Sequence, residues 1–298
     1  MEEGLRFSAI DIGSNAMRLL FTRVILNGSP AFIKESLIRM PLRLGHDAFV
    51  RGSINSETAD KFMHTMRGFM HMIYAYKPIR FRACATSAMR TADNGLRLVK
   101  KVKQEIGLNI EIISGDDEAS LILSNHIERT LKPNQYYIYI DVGGGSTELT
   151  LIYDKEVLGS KSFPIGSVRL LEGRVTEEHW KDMKDWIKKN TVKCNSIKAI
   201  GSGGNINKIA SLAGKQKGDS LNHKEIENKL TEINPFNYHD RIVKLGMRPD
   251  RADVISYAGS IYLNCLKWSG AKKIFVHQIG LPDGIITQLY IDYKKQYG

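Results

Sequence analysis

Cysteine is scarce in this sequence, and the three that occur, Cys84, Cys194 and Cys265, stand far apart. That number and spacing exclude a disulfide framework and give no zinc-site pattern. No apolar run approaches the roughly 18 residues that a membrane-spanning helix needs, so no membrane partner is expected. The opening MEEGLRFSAIDIGS is acidic and passes straight into a strand-like segment, unlike a secretory signal. These features together predict a cytoplasmic location. Low-complexity stretches and short solenoid repeats are missing. Zinc-finger, RNA-recognition-motif and homeodomain spacings are missing too, which argues against a nucleic-acid partner.

What the chain does hold is the balance of an ordinary globular protein, 42% hydrophobic and 25% charged over 298 residues. That length suits one large domain or two modest ones. The formal net charge is +11 and the basic excess is spread over both halves. Such a field attracts a polyanion: nucleic acid, polyphosphate or a phosphorylated nucleotide. A basic surface that merely solubilises would give the same number.

Hydrophobic periodicity predicts strands at 7–12, 16–24, 30–38, 79–85 and 110–113, and helices at 56–76, 94–106 and 118–128. The helix at 56–76 carries Phe62, Met66, Phe69, Met70 and Ile73 on one side, and its methionines, Met63 included, read as core. Asn94 is placed to cap the helix that follows it. Ser114, with an acid three positions on, reads as another helix start. The second half begins again, with strands at 136–141, 149–153, 157–163, 198–201 and 273–277. Its helices fall at 177–191, 205–212, 224–230, 238–245, 250–267 and 283–293, with a polar loop at 213–219. Each half opens with strand, acid–glycine turn and strand. This predicts an α/β protein of two related domains joined near 124–134.

The two turns read DIGSN, Asp11 to Asn15, and DVGGGSTEL, Asp141 to Leu149. Glycine admits positive φ and lets a ligand approach the backbone. Successive N–H groups in such a turn form an anion-binding concavity. Gly13, Ser14 and Asn15, and then Gly143, Gly144, Gly145, Ser146 and Thr147, are therefore candidate phosphate donors. Neither turn is a Walker A loop, and neither is a GxGxxG that opens a helix. An acid beside a phosphate pocket repels it unless a cation intervenes. Mg²⁺ is commonly held by one or two carboxylates plus waters and phosphate oxygens. Asp11, Asp141 and Glu148 are thus candidate metal ligands, direct or through water. The alternative is two hairpins whose Asp and Gly only make the bend. Arg90 closes ATSAMR at a strand-to-helix corner and suits bidentate phosphate recognition; a salt bridge is its alternative. Arg18, Arg43 and Lys208 are weaker candidates, and His277 reads as structural.

Five segments occur in one order: DIGSN, ATSAMR at 85–90, IEIISGDDEA at 110–119, DVGGGSTEL and RADVI at 251–255. In this the chain resembles the exopolyphosphatase/guanosine pentaphosphate phosphohydrolase (Ppx/GppA) family over essentially its whole length. That family lies within the superfamily of acetate and sugar kinases, heat-shock chaperones and actin. The resemblance implies two ribonuclease-H-like (actin-like ATPase) domains flanking an interdomain cleft. Residues 1–124 would form the first, completed by a C-terminal helix at about 285–298, and 125–284 the second. It also implies Mg²⁺-dependent hydrolysis of a terminal phosphoanhydride and places the catalytic glutamate at Glu118. The family's usual GGT is Gly203, Gly204 and Asn205 here, which keeps a polar donor for phosphate. Its GLREG is GLPDG at 280–284, where Pro282 replaces a basic residue.

The expected activity is exopolyphosphatase, releasing orthophosphate from chain ends. Guanosine pentaphosphate 5′-phosphohydrolase is the alternative that these motifs do not separate. A kinase or ATPase would need a purine pocket beside GSGGN. A non-catalytic polyphosphate or nucleotide sensor would need no water-activating acid. The expected partners are inorganic polyphosphate or a (p)ppGpp-type nucleotide, with a homodimer possible.

Overall fold

The structure, a computed structural model, describes residues 4–26, 28–124, 131–216, 218–277 and 279–297. The chain divides into two compact units. Unit 1 is Met1–Asn125 with Gly280–Gly298, and unit 2 is His126–Ile279. The joint expected near 124–134, and the end of the helix expected to reach 128, fall in part outside the described residues.

Unit 1 is built on a five-stranded sheet. Its strands are β1 (Leu5–Ile12), β2 (Met17–Ile25), β3 (Ala31–Met40), β4 (Arg80–Ala85) and β5 (Ile110–Ile112). They lie in the order β3-β2-β1-β4-β5. The β1–β2–β3 meander is antiparallel, while β1, β4 and β5 run parallel. The 21-residue helix α2 (Ser56–Tyr76) buries Phe62, Met63, Met66, Phe69, Met70 and Ile73, so the methionines are core. Helix α1 (Leu44–Val50) precedes it, α3 (Ser87–Thr91) and α4 (Gly95–Ile106) follow β4, and α5 (Gly115–Leu123) follows β5. Asn94 does not cap α4. Its amide instead accepts from Ile54 N–H at 2.9 Å and donates to the Ile54 carbonyl at 2.7 Å, binding the segment before α2 as a strand partner would.

Unit 2 repeats the pattern. Its strands are β6 (Tyr136–Val142), β7 (Thr147–Tyr153), β8 (Glu156–Phe163), β9 (Ile197–Ser202), β10 (Ser220–Asn222) and β11 (Lys273–Val276). Their order is β10-β11-β9-β6-β7-β8. Without β10 this is the unit 1 arrangement again: an antiparallel meander, β6–β7–β8, with β9 and β11 parallel to its first strand. The helices are α6 (Ser167–Leu171), α7 (Glu177–Thr191), α8 (Gly204–Leu212), α9 (His223–Ile233), α10 (Tyr238–Val243), α11 (Pro249–Ala252) and α12 (Ile255–Ser269). The single helix expected at 250–267 is broken at Asp253–Val254. The Arg241 guanidinium takes the Ala252 carbonyl at 2.8 Å, so that carbonyl does not continue the helical ladder.

The last helix, α13 (Leu281–Tyr297), belongs to unit 1 and covers its sheet, with Phe7 edge-on to Tyr290 and Tyr293. The GLPDG segment starts it. Asp283 pairs with Lys34 at 2.6 Å, and a Cβ on Gly284 would stand 1.8 Å from the Leu121 carbonyl oxygen of α5. Gly284→Ala must therefore push two helices apart. Overpacking of this kind costs about 1–3 kcal/mol, to be read as a lower denaturant midpoint at unchanged slope. No helix among the described residues is long and apolar enough to cross a membrane.

Candidate active site

In a parallel sheet, functional groups gather beyond the carboxyl ends of the strands, and both units obey this. In unit 1, β1 runs into Gly13-Ser14-Asn15, β4 into Thr86 and α3, and β5 into Ser114 and α5. These ends are stitched together by Thr86 N–H to the Ile12 carbonyl at 3.1 Å and Ile113 N–H to the Ala85 carbonyl at 3.0 Å. The first turn closes with Gly13 N–H on the Ala16 carbonyl at 3.2 Å. The carbonyls of Ser14 and Asn15 accept from Gly45 and Arg43 at 2.7 and 3.0 Å. Arg43 is left-handed, φ 56 and ψ 39, a conformation uncommon for a side-chain-bearing residue.

Glu118 sits half-buried in the first turn of α5. The cap of that helix is made by others. Ser114 accepts from Asp117 N–H at 3.0 Å, and the Asp117 carboxylate accepts from Ser114 N–H and Oγ at 3.2 and 2.7 Å. Those bonds hold the Asp117 carboxyl below its usual range. Arg90 is exposed and tethered by one nitrogen, Nη1, to the Ile113 carbonyl at 2.6 Å. It therefore stands beside the segment that delivers Glu118.

In unit 2 the turn after β6 is bent against α6. The Gly143 carbonyl accepts from Ser167 N–H at 3.0 Å, and Gly144 accepts from Val168 and Arg169 N–H at 2.8 and 3.0 Å. The Gly145 carbonyl accepts from Arg169 Nε at 2.9 Å. With the carbonyls turned to α6, the N–H groups of Gly144, Gly145 and Ser146 donate to nothing among the described residues. That is the row of donors an anion needs. The approach is close: a Cβ on Gly166 would lie 2.4 Å from the Gly144 oxygen. Thr147 differs from the expectation, because its hydroxyl is spent on the Ile165 carbonyl at 2.5 Å in a fully buried setting.

The strand register sorts the acids. Across unit 1, Asp11 stands opposite Arg18 on β2, and Arg18 Nη1 reaches its Oδ2 at 2.5 Å. Across unit 2, Asp141 stands opposite Glu148 on β7. Outward from this pair lie Ser202, which donates to Asp141 Oδ1 at 2.5 Å, and Ser162, which donates to Glu148 Oε1 at 2.9 Å. Like charges directly opposite repel, and a divalent cation relieves that. Two oriented carboxylates fit Mg²⁺, which completes its shell with waters and phosphate oxygens. No three Asp, Glu, His or Cys side chains gather as a metal cage among the described residues. Asp11 fits less well, since its carboxylate is already engaged by a guanidinium.

Beyond β9, Gly203 takes φ 109, and α8 starts at Gly204. Asn205 is 8% exposed, and its Oδ1 has no hydrogen-bond partner among the described residues. Arg251 of the RADVI segment lies against Gly204, where a Cβ would come within 2.3 Å of its Nη2. Burial, and then the Arg251 charge, lower the pKa of Lys208 one turn into α8. Lys208 is half-buried there. Two cations thus flank a helix N-terminus, a favourable place for an anion. His277 donates its backbone N–H to the Gly201 carbonyl at 2.9 Å.

Arg251, Ser202 and Ser162 were not among the expected site residues. The hairpin arithmetic carries the missing signal for the acids: a four-residue turn at 143–146 sets 141 against 148, as one at 13–16 sets 11 against 18.

Known proteins resemble this chain. The bifunctional 3-dehydroquinate synthase/phosphatase of Fusobacterium nucleatum is 28% identical over 91% of this chain and 44% of its own length. Exopolyphosphatase 1 of Mycobacterium tuberculosis is 27% identical over 61% of this chain and 54% of its own. The chain spans about half the length of these relatives. The crystal structure of the Aquifex aeolicus Ppx/GppA family member is 26% identical and superposes with a TM-score of 0.76, covering 97% of this chain and 98% of that one. A model of the Ppx/GppA phosphatase family matches residues 36–291. With that match over most of its length, and with the fold of two actin-like domains, the chain belongs to the Ppx/GppA phosphatase family.

Proposed function

We propose that this protein hydrolyses the terminal phosphoanhydride of inorganic polyphosphate in a metal-dependent reaction and releases orthophosphate. The observation that carries the reading is Glu118. It projects from the start of α5, yet the helix is capped without it by Ser114 and Asp117. Its relatives support the substrate class, one of them being named an exopolyphosphatase. The free thiols of all three cysteines fit a reducing, cytoplasmic compartment.

A phosphoanhydride resists water chiefly through its own negative charge, so catalysis is charge neutralisation plus alignment. In unit 2 the N–H groups of Gly144, Gly145 and Ser146 would take phosphoryl oxygens; unit 1 offers donors of its own on Ser14, Asn15 and the outer nitrogens of Arg90, the Gly13 N–H being spent on Ala16. Mg²⁺, held by Asp141 and Glu148, would supply a Lewis-acidic charge against those oxygens. Asp11 would hold Arg18 in place rather than bind metal directly. Glu118 would accept the proton of the attacking water as the bond to the leaving phosphate breaks.

Asn205 favours a second substrate. Its buried Oδ1 calls for a donor, which an ionised polyphosphate chain lacks and a nucleotide's hydroxyl or amine provides. Phosphate release with Mg²⁺ from long-chain polyphosphate, guanosine pentaphosphate and ATP decides between the two. Polyphosphate is expected to be the best substrate, with release stopped by a chelator. A preference for the pentaphosphate would keep the chemistry and move the substrate. No release from any of the three, with binding retained, would leave a sensor.

A further inference from the structure

The mechanism above makes no use of Tyr262, the largest polar side chain in α12 with no exposed surface. It lies directly under the metal-holding end of β6. Its hydroxyl donates to the Ser202 carbonyl, and Ser202 Oγ in turn donates to Asp141 Oδ1 at 2.5 Å. Around Gly203 the same groups converge: a Cβ there would stand 3.3 Å from the Tyr262 oxygen and 3.5 Å from Asp141 Oδ1. The backbone passes through this gap at φ 109, which only glycine takes without strain.

We propose that Tyr262 is a positioning residue for the candidate metal site, fixing the Asp141 carboxylate through Ser202. This rests on the reading of Asp141 as a metal ligand. Ser202 is held at its carbonyl by a rigid buried phenol and spends its hydroxyl on Asp141. The Oδ1 lone pair and the carboxylate plane are thereby set before any cation arrives. Groups that orient metal ligands in this way typically shift metal affinity by about 10- to 100-fold when removed.

The test is Mn²⁺ binding to the isolated protein, counted by electron paramagnetic resonance of the free ion, without substrate or turnover. Tyr262→Phe keeps the ring and removes the hydroxyl. It is expected to bind Mn²⁺ about tenfold more weakly, with polyphosphate affinity in the absence of metal unchanged. Ser202→Ala breaks the same relay at its other end and serves if the Phe variant fails to fold. The double variant should be no weaker than either single one, because both cut one chain of contacts. Wild-type Mn²⁺ affinity in both single variants overturns the inference while leaving the metal site standing. Additive losses in the double variant overturn the relay. No Mn²⁺ binding by the wild type overturns the metal-site reading and the inference with it.

Discussion

Glu118→Gln is expected to leave a folded protein whose phosphate release from polyphosphate is about 100- to 10,000-fold slower, the range a general base contributes. The substitution is nearly isosteric and removes only the proton-accepting carboxylate. Three acids, Asp116, Asp117 and Glu118, occupy the first turn of α5, and Asp117 alone closes the capping box. If Glu118 served only the helix dipole, its loss would cost about 0.3–1 kcal/mol of stability and leave turnover intact. The two roles therefore separate on two instruments: kcat falls with an unchanged denaturation midpoint, or the reverse. Polyphosphate KM should move little, since phosphate recognition is assigned to the turns and Arg90.

Asp141→Asn should cut metal-dependent turnover by roughly 100-fold or more, equivalent to about 3 kcal/mol in the barrier. Asp141 faces Glu148 across β6 and β7, and the variant leaves one carboxylate where the candidate metal site has two. Its stabilisation by added Mg²⁺ should also shrink, because a ligand stabilises only what it binds. Equal Mg²⁺ stabilisation of variant and wild type would falsify the assignment.

The fold was legible where a segment speaks for itself. The long apolar face from Phe62 to Ile73 marked α2, and alternating apolar runs around DIGSN and DVGGGSTEL marked both hairpins. What stayed hidden was decided by contacts distant in sequence. Helix α1 begins at a left-handed Arg43 whose N–H is held by Asn15, and α6 begins where its N–H groups meet the carbonyls of Gly143 and Gly144. Neither start has a local signature. Asn94 had the right residue type and position for a cap, but Ile54 offered it two backbone bonds instead of one. For the site, residue types and turns pointed to the acids and glycines, yet charge balance came from register. The partner of Asp11 is an arginine and that of Asp141 a glutamate, which makes otherwise matching hairpins opposite in what they invite.

The return of α13 to the first sheet has a consequence for biosynthesis. Domains generally close in the order in which the ribosome delivers them. Here unit 1, made before unit 2, lacks its cover until α13 emerges, because Phe7 packs on Tyr290 and Tyr293 and Ser124 reaches the Gly284 carbonyl at 3.2 Å. The second unit is continuous from His126 to Ile279 and holds all its own parts as soon as it is released. Translation order and completion order are thus inverted. The early-born sheet waits with an apolar face open until α13 has been made.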